Sequence, residues 1–293
     1  MTRPSPAPAS TPLSRLIDAA AAVLAEAGVA APRVDAELLA AYALGIDRGR
    51  LRLVEAGPDF ADRYGELIAR RARRIPLQHL VGTAPFGPVE VAVGPGVFIP
   101  RPETEALLEW AVAQKLPDAP VIVDLCTGSG ALALALSTNW PDARIVAVED
   151  SGAALDYTRR NLANAAVEIV DADVTQPGLL PELDGVVDLV VANPPYIPDG
   201  AQLEPEVAEH DPAHALFGGP DGMRVIEAIV GLSARWLRAG GLLAIEHDDT
   251  TSDRTAECFR RSRHFDDIVA RCDLVERPRF VTARRTPEGG PAA

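Results

Sequence analysis

The spacing of apolar positions changes along the chain, and that change divides it. Apolar residues first recur at helical spacing, at Leu13, Leu16, Ile17, Ala20, Ala21 and Leu24, until Gly28 closes the run. Thr11 is placed to cap this helix, with Pro12 at its first position. Further helical patterns cover roughly Arg33 to Leu44, Arg48 to Glu55 and Phe60 to Arg74. The last closes on Arg70, Arg71, Arg73 and Arg74, where exposed carbonyls favour cations; this reads as a solvated helix end, with contact to an acidic or RNA-like partner as the alternative. A small all-helical domain over 12–84 is expected.

The spacing then shortens. Val89 to Val93 alternates, and Gly94-Pro95-Gly96 separates it from Val97 to Ile99, which predicts a β-hairpin linking two domains over 85–104. From Ala119 onward, short β-branched runs (Val121 to Leu125, Arg144 to Glu149, Val167 to Val170, Val187 to Ala192) alternate with helical stretches. A helix near Met223 to Leu237 and strands at Leu242 to Glu246, Asp266 to Val269 and Arg279 to Ala283 follow. This βαβ rhythm predicts an α/β domain over 105–286, a parallel sheet with helices on both faces. The ends, 1–11 and 287–293, are expected to be disordered tails, the first because its Pro, Ala and Ser bury too little apolar surface.

Charge narrows the function. Against 28 basic residues stand 42 acidic ones, a net −14, which disfavours affinity built on phosphate neutralisation and hence direct DNA binding. The cysteines, Cys126, Cys258 and Cys272, have no C-x-x-C spacing and fit a reducing cytoplasm. No run reaches membrane-spanning length, and the start does not resemble a secretory signal.

Val121 to Gly130 is a buried strand running into a glycine turn and a helix. Gly128 and Gly130 let the backbone bend tightly and approach a ligand. With Ala133 the turn matches the G-x-G-x-x-G/A dinucleotide fingerprint, which alone leaves a nicotinamide enzyme open. Glu149 ends the next strand, where a carboxylate can accept from two ribose hydroxyls. Asp124, before the glycines, would repel a pyrophosphate but suits the cationic amino-acid end of S-adenosylmethionine. Asp173, with Val174 beside it, is placed to reach an adenine; Asp171 is an equal candidate. The candidate cofactor contacts are therefore Asp124, Cys126, Thr127, Gly128, Ser129, Gly130, Glu149, Asp173, Val174 and Asn193.

The string Asn193-Pro194-Pro195-Tyr196 directly follows a buried strand. The Asn193 side-chain oxygen and the Pro194 carbonyl form two fixed acceptors, suited to gripping a planar NH2 group. Pro195 stiffens the loop, and Tyr196 can stack on an amide while its hydroxyl finds a partner at the rim. Methyl transfer to an amide or amino nitrogen is the chemistry expected, with Asn193, Pro194 and Tyr196 as catalytic candidates. His210 and His214 flank Asp211, but Pro212 breaks any helix that would align them, and no metal is expected.

These residues, together with "PLQHLVGTAPFG" at 76–87, "FIPRPETE" at 98–105, "DLCTGSGALALALS" at 124–137 and "ALFGGPDGM" at 215–223, resemble the bacterial release factor glutamine methyltransferases, the PrmC/HemK family. The resemblance covers about Arg33 to Arg284. It implies a seven-stranded class I methyltransferase domain with S-adenosylmethionine as cofactor, behind a helical domain that holds the release factor. The implied substrate is the glutamine of the Gly-Gly-Gln loop in class I peptide chain release factors, methylated on N5, which supports translation termination. Arg101 and Glu103 would shape the substrate wall beside Asn193, Pro194, Pro195 and Tyr196; a helix-start ion pair is the alternative. A monomer is expected. Departures from the family pattern fall at Glu149, at His210-Asp211-Pro212, at Glu246-His247-Asp248 and at Glu276 to Phe280. Rival readings are a ribosomal-protein glutamine methyltransferase, an adenine or cytosine amino methyltransferase, and a non-catalytic cofactor-binding module.

Overall fold

The computed structural model describes residues 12–287. The Thr11 cap and the expected tails lie outside the described residues, Pro287 excepted. The chain packs as two units, one up to Gly82 and one from Thr83.

The first unit is helical: α1 (Leu13–Glu26), α2 (Pro32–Leu44), a 3-10 turn (Arg48–Leu53), α3 (Phe60–Ala72) and α4 (Leu77–Val81). The stripe read from the sequence faces inward, with Leu13, Ile17, Ala20 and Leu24 packed against Leu39, Tyr64 and Ile68. The arginine cluster is only in part the solvated end expected of it: Arg70 and Arg73 are exposed, whereas Arg71 and Arg74 turn to partners within the unit. Arg71 is buried, and its Nε donates to Asp35 Oδ2 at 2.7 Å. Arg74 donates to the Gly28 carbonyl at 3.0 Å. Helical period puts Arg71 on the same inward face as Ile68, and Asp35 supplies the charge that makes its burial tolerable.

The second unit opens with an antiparallel hairpin of β1 (Thr83–Phe86) and β2 (Val89–Ala92). This corrects the expected pairing of Val89 to Val93 with Val97 to Ile99. Thr83–Phe86 takes that place across the two-residue turn Gly87-Pro88, where Gly87 has φ +51°. Val97 and Ile99 are instead buried as core residues in an irregular segment.

After α5 (Pro102–Val112) come β3 (Val121–Leu125), α6 (Ala131–Asn139), β4 (Arg144–Glu149), α7 (Gly152–Asn161), β5 (Val167–Asp171) and β6 (Val187–Ala192). Then follow α8 (Pro205–His210), α9 (Ala213–Leu216), α10 (Arg224–Trp236), β7 (Leu237–Glu246), α11 (Ser252–Ser262), β8 (Phe265–Cys272) and β9 (Pro278–Arg285). The seven strands from β3 onward form one sheet in the order β5-β4-β3-β6-β7-β9-β8. The first five run parallel and β9 is antiparallel to both its neighbours. Period-2 alternation splits the sheet's side chains between two cores. Ile122, Ile145, Leu189 and Val191 pack with α5 and α6, whereas Val123, Val146 and Val190 pack with α10 and α11. The strand order reverses between β3 and β6, so a crevice opens beyond their carboxyl ends.

Candidate active site

That crevice is a cavity of roughly 610 Å³, walled by residues after β3, β4, β5, β6 and β7. On one side lies the glycine turn. Cys126 and Gly128 both take positive φ, +58° and +57°, which lets the chain reverse within a few residues. A Cβ at Gly128 would meet nothing within 4 Å, and its N–H donates to Glu149 Oε2 at 2.9 Å. Two side chains of α7 hold the turn. Thr158 donates to the Gly128 carbonyl, and Asn161 donates to the Ser129 carbonyl while also bonding both backbone groups of Ala92.

Of the expected cofactor contacts, Asp124, Cys126, Thr127, Gly128, Ser129, Glu149, Asp173, Val174 and Asn193 line the cavity. Gly130 does not: its φ is +81°, and a Cβ there would meet the Leu162 side chain at 3.1 Å, so it is small for packing against α7's end. Asp173, unlike Asp171, faces the cavity. It accepts from the Thr175 N–H and hydroxyl, and these bonds lower its pKa.

Two carboxyls here sit in low dielectric. Asp124 is 1 % exposed and accepts from the Thr127 hydroxyl and from the Ala133 N–H at 3.1 Å. Burial nevertheless raises its pKa to about 7. Glu149 accepts from the N–H groups of Gly128, Asp150 and Ser151, yet burial lifts its pKa too. A buried carboxyl with no cation beside it among the described residues, next to a bare glycine backbone and a second acceptor, fits a ligand bearing an ammonium and vicinal hydroxyls.

The opposite side is the Asn193 to Tyr196 loop. Asn193 Nδ2 donates to Thr104 Oγ1 at 3.1 Å, which leaves Oδ1 as the free end of the amide. The Tyr196 hydroxyl goes inward, not to the rim, and donates to Glu246 Oε1 at 3.0 Å. Burial first, and then Glu246, raise the Tyr196 pKa well above its usual value, so it stays a donor. Behind the loop, Ile197 N–H donates to the Leu216 carbonyl at 2.8 Å and Gly218 N–H to the Ile197 carbonyl at 2.9 Å. A Cβ on Gly218 would come within 2.5 Å of the Pro195 oxygen, and one on Gly222 within 2.1 Å of the Tyr196 oxygen.

Arg101 and Glu103 both line the cavity. Arg101 makes no helix-start pair with Glu103; it bonds Asp211 and lies over the Phe98 ring at 4.9 Å. His214 also reaches the cavity, bonded to Asp150 at 2.6 Å, and that bond raises its pKa. Sequence reasoning assigned no role to Thr104, Glu246, Arg279, Gly218 or Gly222. Glu246 alone carried a readable sign: an acid ending an apolar strand, as Glu149 does.

The sheet order, the glycine turn and the donor set define a class I S-adenosylmethionine-dependent methyltransferase. A methyltransferase structure from Pyrococcus furiosus matches with a TM-score of 0.51 at 17% identity, covering 75% of this chain and all of that one. Residues 15–82 match the PrmC N-terminal domain and residues 94–215 the methyltransferase small domain. The release factor glutamine methyltransferase of Mycolicibacterium smegmatis is 67% identical, covering 94% of this chain and 98% of that protein. Its namesake in Mycobacterium tuberculosis is 63% identical, covering 93% of this chain and 91% of that protein. The chain belongs to the release factor glutamine methyltransferase family.

Proposed function

We propose that this protein methylates N5 of the glutamine in the Gly-Gly-Gln motif of class I peptide chain release factors, in support of translation termination. The carrying observation is the Asn193 to Tyr196 loop, held beyond β6 across one cavity from the glycine turn and the buried Asp124. The names of the relatives support the substrate.

S-adenosylmethionine, when bound, supplies an electrophilic methyl on a positively charged sulfur. Asp124 would hold its ammonium, Glu149 its ribose hydroxyls, Asp173 and Val174 its adenine, and the Cys126 to Ser129 backbone would lie along it. A carboxamide nitrogen is a poor nucleophile because its lone pair is delocalised. Asn193 Oδ1 and the Pro194 carbonyl would each accept one of its N–H groups, fixing the nitrogen and stabilising positive charge as it grows there. Tyr196 would stack on the amide plane, and Pro195 limits the loop's freedom. The nitrogen gains a methyl and then loses a proton, so no histidine base is required. Arg101 and Glu103 would wall the substrate side.

The helical unit would hold the release factor, and the net −14 weighs against DNA as substrate. Among the described residues no helix is long and apolar enough to cross a membrane. A monomer in a reducing cytoplasm is the expected state, in keeping with three free cysteines. The test is mass spectrometry of an unmethylated release factor incubated with the protein and S-adenosylmethionine, beside a substrate whose motif glutamine is alanine. One added methyl on that glutamine, absent from the control, is expected. No added mass, with cofactor binding confirmed, assigns the chemistry to another acceptor.

A further inference from the structure

Asn193 can act as an acceptor toward a substrate amide only if its carboxamide faces one way. Its two ends have nearly the same shape, so neighbouring donors and acceptors must decide between them. The neighbour is Thr104, whose Oγ1 receives the Asn193 Nδ2–H at 3.1 Å. A threonine hydroxyl could equally donate to Asn193 and draw Oδ1 inward. The NH2 would then meet the substrate's own NH2, donor against donor.

What Thr104 does with its proton therefore matters, and Glu246 settles it. Glu246 is 1 % exposed and ends β7, beside the end of β6 that carries Asn193, with Ala192 paired to Ile245. Its Oε1 accepts from Tyr196 at 3.0 Å, and the Thr104 hydroxyl is near enough to lower the pKa of the same carboxyl. Glu246 Oε2 is buried without a hydrogen-bond partner among the described residues, and the residue lines the cavity. Burial raises the Glu246 pKa to about 7, against the lowering effect of Thr104, Tyr196 and Arg279; as a carboxylate it only accepts, so both hydroxyls turn their protons toward it. The Thr104 oxygen then has only lone pairs to offer Asn193, which answers with its NH2.

We propose that Thr104 and Glu246 are positioning residues for methyl transfer, a pair that orients the Asn193 carboxamide with Oδ1 toward the acceptor nitrogen. The inference rests on the methyl-transfer reading above. It assigns Thr104 and Glu246 to one relay, and the relay to one outcome, the facing of a single amide.

The experiment compares Thr104→Val, Thr104→Ser, Glu246→Gln and the double variant Thr104→Val/Glu246→Gln, with Thr104→Val also placed in an Asn193→Ala background. For each, kcat on a release factor, Kd for S-adenosylmethionine and Tm are measured. The Asn193 side-chain NH2 signals are recorded by NMR in the cofactor-bound protein and assigned by their loss in Asn193→Ala. Thr104→Val is expected to lower kcat by about 100-fold, as removal of one preorganised polar contact does. Cofactor Kd should stay within about threefold of wild type, and Thr104→Ser should stay close to wild type in both. The double variant should be no slower than the worse single one, and Thr104→Val should add nothing once Asn193 is gone. The NH2 signals should shift in Thr104→Val and hold in Thr104→Ser. Unchanged kcat in Thr104→Val, multiplying losses in the double variant, or unmoved NH2 signals would overturn the proposal. The NMR readout needs no release factor, so a wild type that fails to methylate one counts against the substrate reading and leaves the orientation test in force. If Glu246→Gln does not fold, the valine and serine pair still decides.

Discussion

Gly222→Ala offers a direct test of whether the loop behind the Asn193 to Tyr196 segment sets its position. The alanine Cβ would sit 2.1 Å from the Tyr196 carbonyl oxygen, whereas real Cβ contacts essentially never fall below 3.0 Å. Both groups are anchored by backbone bonds around Ile197 and Gly218, so the strain is relieved by moving the loop by about 0.9 Å or more. A misplacement of about 1 Å costs on the order of 100-fold in rate. A fall in kcat of roughly 10- to 100-fold follows, with cofactor Kd unchanged because the Cys126 to Gly130 turn is untouched. Gly222 also has φ +75°, which costs an alanine about 1–2 kcal/mol in stability regardless of the contact. Gly185→Ala separates the two effects, since Gly185 has φ +69° and a Cβ there would meet nothing within 4 Å. Both variants should melt lower, and only Gly222→Ala should lose kcat. The assay is steady-state methyl transfer with cofactor titration and thermal melts on the same samples. Gly222→Ala with the kcat of Gly185→Ala would refute the steric reasoning.

Three further outcomes are expected. Asn193→Ala should lose about 100- to 1,000-fold in kcat while keeping its cofactor Kd, checked by single-turnover transfer and calorimetry; near-normal turnover would remove Asn193 from the site. Asp124 has a folded pKa of about 7 against an ordinary 3.8, so between those values the folded protein binds more protons than the unfolded chain. Its contribution to stability therefore falls as pH rises through that window and levels off above about 7. A bound ammonium restores the carboxylate, so S-adenosylmethionine should bind more tightly as pH rises toward 7 and release a proton at pH about 6. Calorimetry in buffers of differing ionisation enthalpy measures that proton, and Asp124→Asn should abolish it. In the helical unit, Asp35→Ala removes the carboxylate that accepts from the buried Arg71 and should destabilise the protein by more than Asp35→Leu with Arg71→Met; denaturant melts distinguish the two.

The sequence by itself determined whatever is written in contiguous residues. Short β-branched apolar runs placed β3, β4 and β6, the glycine turn followed β3, and Asn-Pro-Pro-Tyr followed β6, because strand pattern, turn chemistry and short motifs are local properties. Those elements, wound in a parallel sheet, already bring Asp124, Glu149 and Asn193 to one edge, where the cavity opens. Only the tertiary structure decided which partners complete them. Thr83–Phe86, not Val97 to Ile99, pairs with β2, across the two-residue Gly87-Pro88 turn. Gly130 answers to Leu162 and not to the cavity. Arg71 finds Asp35 at a separation of 36 residues, Tyr196 finds Glu246 at 50, Asn193 finds Thr104 at 89 and Arg101 finds Asp211 at 110. Burying a charge or an amide demands a partner, and the sequence states that demand; which of many polar residues meets it depends on packing between distant segments, which only the folded chain specifies.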